Sequence, residues 1–178
     1  MKISAQEEYG IRCLLQVAAR PNGDGPVTVS QIAEAEGLSG PYVEKLLRVL
    51  SRAGLVEATR GAKGGYRLTR DSSEITLGDA LRALGEFPGS KKLCDHYVGK
   101  FDCCVHRCDC SVRPVWAQIA SYLGTILDGL SLADLVGSEN TVRARLMSLH
   151  ASTQSDGAAV IRRPAVAAAS PVRSINDE

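Results

Sequence analysis

Five of the six cysteines crowd into residues 94–110, as Cys94, Cys103, Cys104, Cys108 and Cys110. Thiolates bind soft or borderline metals, and several that are close in sequence can converge on one site. Asp95, His96, Lys100, Asp102, His106, Arg107 and Asp109 lie among them. Such polarity excludes a core segment, so inert buried thiols do not explain the cluster. The spacing matches neither the paired C-x2-C of a zinc ribbon nor a ferredoxin run. It suits a loop that becomes ordered when metal binds, zinc included, and equally a switch based on thiol oxidation. His96 and His106 are candidate ligands by proximity alone, and His150 has no such context. Cys13 differs: it stands among Ile11, Leu14 and Leu15 and reads as helix packing.

A second cluster is electrostatic. Between Glu44 and Arg70 lie Lys45, Arg48, Arg52, Arg60, Lys63, Arg67 and Arg70, opposed only by Glu44 and Glu57, a local excess of five positive charges. The whole chain of 178 residues carries a net charge of only +1, which conceals this excess. The overall balance gives no reason to expect a polyanionic partner; the local one does.

The elements that position these groups follow from periodicity and punctuation. Apolar residues are 44% and charged residues 23%, which excludes wholesale disorder; aromatics are 4%, so the core must be aliphatic. Residues 1–85 predict helices with one hairpin. Ser4 with Glu7 opens a helix to Ala19 as a capping box, and Pro21 to Pro26 break it. Thr28 starts a short helix that ends at Gly37. Pro41 suits the first turn of the next, where Val43, Leu46, Leu47 and Leu50 keep a helical period up to Gly54. Leu55–Thr59 and Tyr66–Thr69 predict strands joined by the glycine-rich RGAKGG. Thr76 with Asp79 caps a helix that stops at Gly85.

Residues 86–110 have no sustained period, which is long for a structureless loop unless function or a ligand orders it. From Ser111 the strongest helix carries a stripe from Val115 through Trp116, Ile119, Leu123, Ile126 and Leu127 to Leu130. Ser131 with Asp134 opens a short helix that ends near Gly137. Residues 138–178 read as an extension, disordered beyond about residue 150 for want of a core pattern. No run approaches the roughly 18 apolar residues of a membrane helix, and Glu7, Glu8 and Arg12 interrupt the N-terminal pattern where a signal peptide would be uncharged. The expectation is a cytoplasmic protein.

Helix, turn, helix and hairpin in that order make a winged helix-turn-helix, mainly α with a small β-hairpin wing. In such a fold the N-terminal residues of the second helix meet base edges in the major groove. Here these are Ser39, Gly40, Tyr42, Val43 and Glu44, with Lys45 and Arg48 at phosphates. Glu44 can accept from a cytosine amino group. Arg60, Lys63 and Gly64 form a basic tip able to enter a narrow minor groove. The sequence shows no Ser-His-Asp arrangement, phosphate loop or nucleotide motif, so an enzyme is not expected.

Three segments, MKISAQEEYGIRCLL, SQIAEAEGLSGPYVEKLLRVLSRAGLVEATRGAKGGYRLTR and CDCSVRPVW, resemble the IscR/NsrR-type family of dimeric winged-helix transcription regulators. The resemblance covers roughly residues 1–137. It implies a homodimer on a partly palindromic double-stranded DNA operator, with the long C-terminal helix as dimerisation helix. Val115, Trp116, Ile119, Leu123, Ile126 and Leu127 would then line the interface. It also implies a sensor of iron–sulfur status, nitric oxide or redox state, through a [2Fe–2S] or [4Fe–4S] iron–sulfur cluster held by three cysteines and a variable fourth ligand. By position the cysteines are Cys94, Cys104 and Cys110. Arg113 occupies one position of the fourth ligand and cannot bind iron; Glu8, from the partner subunit, matches the other. The gap from Cys94 to Cys104 is longer than usual for the family. Cys103 and Cys108 are additional, and either could replace an assigned thiol.

Overall fold

A computed structural model describes residues 3–20, 25–61, 64–85 and 99–157. Its elements run α1 (Ala5–Ala18), α2 (Val29–Glu36), α3 (Gly40–Arg52), β1 (Val56–Thr59), β2 (Gly65–Leu68), α4 (Leu77–Leu84), α5 (Arg113–Asp128), α6 (Leu132–Leu135) and α7 (Glu139–Gly157). Among the described residues the chain is mainly α with one antiparallel hairpin, as its periodicities predict.

Local chemistry sets the helix starts. Ser4 with Glu7, Thr28 with Gln31, Thr76 with Asp79 and Ser131 with Asp134 each form a reciprocal capping box. Each box satisfies two amides that the first turn would otherwise leave without partners. Gly37 closes α2 at φ 64°, a left-handed conformation that glycine adopts without steric cost.

The hairpin pairs Val56 with Leu68 and Thr59 with Gly65. Val27 and Tyr66 exchange backbone hydrogen bonds of 2.9 and 2.8 Å, which pins the segment before α2 to the sheet. Gly65 permits this approach, because a Cβ there would collide with the Val27 carbonyl.

The core lies among α1, α3, α4 and the base of the hairpin. Cys13, Leu14, Ile32, Val43, Leu46, Leu47, Leu50, Ile75 and Leu132 are fully buried. Burying side chains of this size contributes about 1.5–3 kcal/mol each relative to exposure. This block holds α3 rigidly, with its inner stripe in the core and Pro41, Lys45, Arg48 and Arg52 outward.

Two features depart from the sequence expectation. Helix α7 extends to Gly157, past the point near residue 150 where order was expected to end; residues 158–178 lie outside the described set. On α5, Leu123 and Leu127 are half-buried. The apolar residues left to solvent are Val112, just before the helix, and Val115, Trp116, Ile119, Tyr122 and Ile126, which are 38–54% exposed. The exposed apolar face of α5 thus includes Val112 and Tyr122 beside Val115, Trp116, Ile119 and Ile126, while Leu123 and Leu127 are partly covered within the chain.

Candidate nucleic-acid interface and cysteine loop

At the start of α3, Ser39 is the N-cap but makes no side-chain capping bond, so its hydroxyl stays available. Gly40 and Tyr42 are half-buried, and the Tyr42 ring meets Tyr9 edge-on with centroids 6.2 Å apart. That contact braces the first turn of α3 against α1. Val43 is fully buried, so it packs the core and does not belong among groups facing DNA. A hydrophobic residue three positions before Leu46 falls on the inner stripe of a 3.6-residue helix.

The charges on the outer face are unequally committed. Arg48 Nη2 lies 2.6 Å from Glu44 Oε1, and that bond holds the Arg48 guanidinium even more firmly protonated. Arg67 pairs across the hairpin with Glu57 at 2.7 Å. Lys45, Arg52 and Arg60 are exposed and form no ion pair among the described residues. These are the cations freest to meet a phosphate. Gly64 turns the hairpin through a bond from its amide to the Gly61 carbonyl, while Lys63 lies outside the described residues.

In the cysteine loop, Cys104 and Cys110 are half-buried, and Cys103 and Cys108 are exposed. The Arg107 amide donates to the Cys104 carbonyl at 3.0 Å, closing a turn. Arg113, in the first turn of α5, donates to the carbonyls of His106 at 3.3 Å and Arg107 at 2.7 Å. So Arg113, placed where a fourth ligand could have stood, instead clasps this turn against α5. Cys94 and His96 lie outside the described residues, and His106 is exposed. Among the described residues no three Cys, His, Asp or Glu side chains gather as a metal site.

Glu8 lies on α1 with its carboxylate 2.8 Å from Arg12, which also approaches Glu36 at 3.9 Å. Cys13 is buried, and burial pushes its thiol up to about 11. It is therefore a protonated packing residue. Tyr122, which the sequence analysis leaves out of the α5 stripe, shares the spacing of Val112, Val115, Ile119 and Ile126. Steps of three and four residues mark the seam of a coiled coil. No helix among the described residues is long and apolar enough to cross a membrane.

The chain is similar to protein rrf2 of Nitratidesulfovibrio vulgaris, 36% identical over 136 residues that cover 76% of this chain and 87% of the relative. Among solved structures it resembles T. potens IscR, with TM-score 0.57 and 36% identity over 76% of this chain and 86% of that one. It also resembles CymR, described as the global cysteine regulator of B. subtilis, with TM-score 0.60 and 32% identity over 76% of this chain and 96% of that one. A family model described as Rrf2, iron-dependent transcriptional regulator, matches residues 3–138. That match runs from just before the N-cap of α1 to past the end of α6, and the chain belongs to the Rrf2 family of transcriptional regulators.

Proposed function

We propose that this chain is a homodimeric regulator that binds a partly palindromic DNA duplex and adjusts that binding through its cysteine loop. Ser39, Tyr42 and Glu44 face base edges, Lys45 and Arg52 meet phosphates, and Arg60 with Lys63 and Gly64 enters the minor groove. Glu44 and Arg48 must exchange their mutual ion pair for contacts with DNA. Phosphate contacts release counterions, so affinity falls as salt rises. The dimer forms along Val112, Val115, Ile119, Tyr122 and Ile126, with Trp116 beside them. An exposed apolar stripe with coiled-coil spacing is costly to leave in water.

The signal enters at the loop. The observation that carries this reading is Arg113, which ties the turn between Cys104 and Cys110 to the first turn of the proposed dimer helix. A change at these thiols therefore reaches the element that would join the subunits. The donors fit an iron–sulfur cluster in kind: Cys94, Cys104 and Cys110 supply thiolates, and Glu8 of the partner subunit would supply a carboxylate. When bound, the cluster supplies a redox-active iron centre. To serve, Glu8 must release Arg12, which already lies near Glu36.

Anaerobic purification with an absorption spectrum and iron and sulfide analysis tests this. Brown protein with acid-labile sulfide is expected. Colourless protein after reconstitution refutes the cluster. A second reading is a cluster-free thiol switch, favoured by the exposure of Cys103 and Cys108 and by the likeness to CymR. It predicts a colourless protein whose DNA affinity changes when these thiols are oxidised.

A further inference from the structure

Helix α5 is bonded to the winged-helix body at one end. Beside its last turn, the Leu77 amide donates to the Leu130 carbonyl and the Leu132 amide to the Ile75 carbonyl, both at 2.8 Å. Its first turns, from Arg113 to Ile119, are exposed. The helix is thus a lever whose angle is set where it joins the body.

A chain of charges sits at that junction. Arg82 Nη2 on α4 lies 2.8 Å from Asp128 Oδ1 on α5 and 3.0 Å from Asp79 Oδ1. Arg70, at the base of the wing, reaches the other Asp79 oxygen at 3.5 Å. Asp79 is itself held in place, because it caps α4 by accepting from the Thr76 amide. Gly78 lies beneath: a Cβ there would collide with Asp128 Oδ1, so only a bare α-carbon lets that carboxylate approach. Exposed ion pairs of this kind add little to global stability. Several charges joined in one network, as Arg70, Asp79, Arg82 and Asp128 are, hold their geometry better than an isolated pair.

We propose that Arg82 is a positioning residue: with Asp79 and Asp128 it locks the angle between α5 and the winged-helix body. In a dimer that angle sets the separation of the two α3 helices. The inference rests on the DNA-binding dimer proposed above. A symmetric dimer accepts half-sites only at the spacing its geometry dictates. A locked joint makes this preference sharp, and a loosened joint makes it broad.

The test uses the full chain and a palindromic duplex that it selects from a random pool. Variants of that duplex have one base pair added or removed between half-sites, and a single half-site serves as control. The wild-type protein is expected to lose about tenfold or more in affinity on each misspaced duplex, and R82Q and D128N roughly threefold or less. Both variants should remain dimers with unchanged half-site affinity, which a merely destabilised protein would not. Gly78→Ala displaces Asp128 while keeping every charge, and should match them. Spacing penalties in R82Q and D128N equal to wild type overturn the proposal, as does a fall in half-site affinity that accounts for the whole effect. If the wild-type chain selects no duplex, the DNA-binding reading fails and this inference with it, a result distinct from an unchanged spacing penalty.

Discussion

The body formed by α1 to α4 and the α5 stripe use the same kinds of residue with opposite results. In the body, Leu14, Ile32, Leu47 and Leu50 are fully buried by one chain. On α5, Val115, Trp116 and Ile119 are 43–54% exposed although the helix is no less apolar. The first region completes its core within the chain. The second is complete only if something else covers it. An amphipathic pattern thus specifies that a face will be buried without specifying which molecule buries it.

Substitutions can break this contrast. The largest effect is expected inside the body. Leu47→Ala should lower folding stability by about 2–5 kcal/mol, because the cavity cannot collapse around a fully buried position. Urea unfolding measures it, and a cost below 1 kcal/mol would contradict so tight a core.

Ile119→Glu puts a charge on the α5 seam instead. It should convert dimer to monomer in analytical ultracentrifugation and weaken binding to a palindromic duplex by about a hundredfold or more, since hot-spot losses at interface centres reach that size. The helical circular dichroism of the body should stay. A variant that remains fully dimeric would show that the exposed stripe is not the seam.

Smaller effects belong to the outer face of α3 and the wing. Lys45→Ala and Arg60→Ala should each weaken DNA binding similarly across sequences and lower the salt slope by about one. Ala in place of the already paired Arg67 should do less, which titrations at several salt concentrations would resolve.

The smallest effect concerns thiols. Cys13 titrates near 11 in the folded chain, above its ordinary value of 9.0. The folded state therefore holds the proton more tightly, and the stability from this group is present below pH 9.0 and lost as pH rises through about 11. Cys103 and Cys108 should react with a thiol reagent at neutral pH while Cys13 stays protected until unfolding. Equal rates at all three would remove the distinction between packing and loop thiols.

Much of the fold was legible in sequence because its signals are local. Capping boxes such as Ser4 with Glu7 and Thr76 with Asp79 act over three residues, and the stripe of α3 acts over one helix. The candidate site was legible in part. The residue types and the local charge excess pointed to the outer face of α3 and the loop, but Val43 was assigned to DNA and proved to be core. Val43 also keeps the helical period of Leu46, Leu47 and Leu50, and that phase, set against α1 and α4, buries it while Lys45 and Arg48 face outward. Helix α7 went unread because its apolar residues are sparse and form no clear face.

The sequence by itself determined where the helices of the body begin, which stripes must leave water and where thiols and cations concentrate. These depend on interactions between residues a few positions apart. Only the tertiary structure decided that Arg82 meets Asp128, 46 residues away, over the bare α-carbon of Gly78. It alone decided that Arg113 clasps the cysteine turn and that Tyr122 rather than Leu123 faces outward. Such pairings depend on how whole helices settle against one shared core, and no local pattern encodes that arrangement.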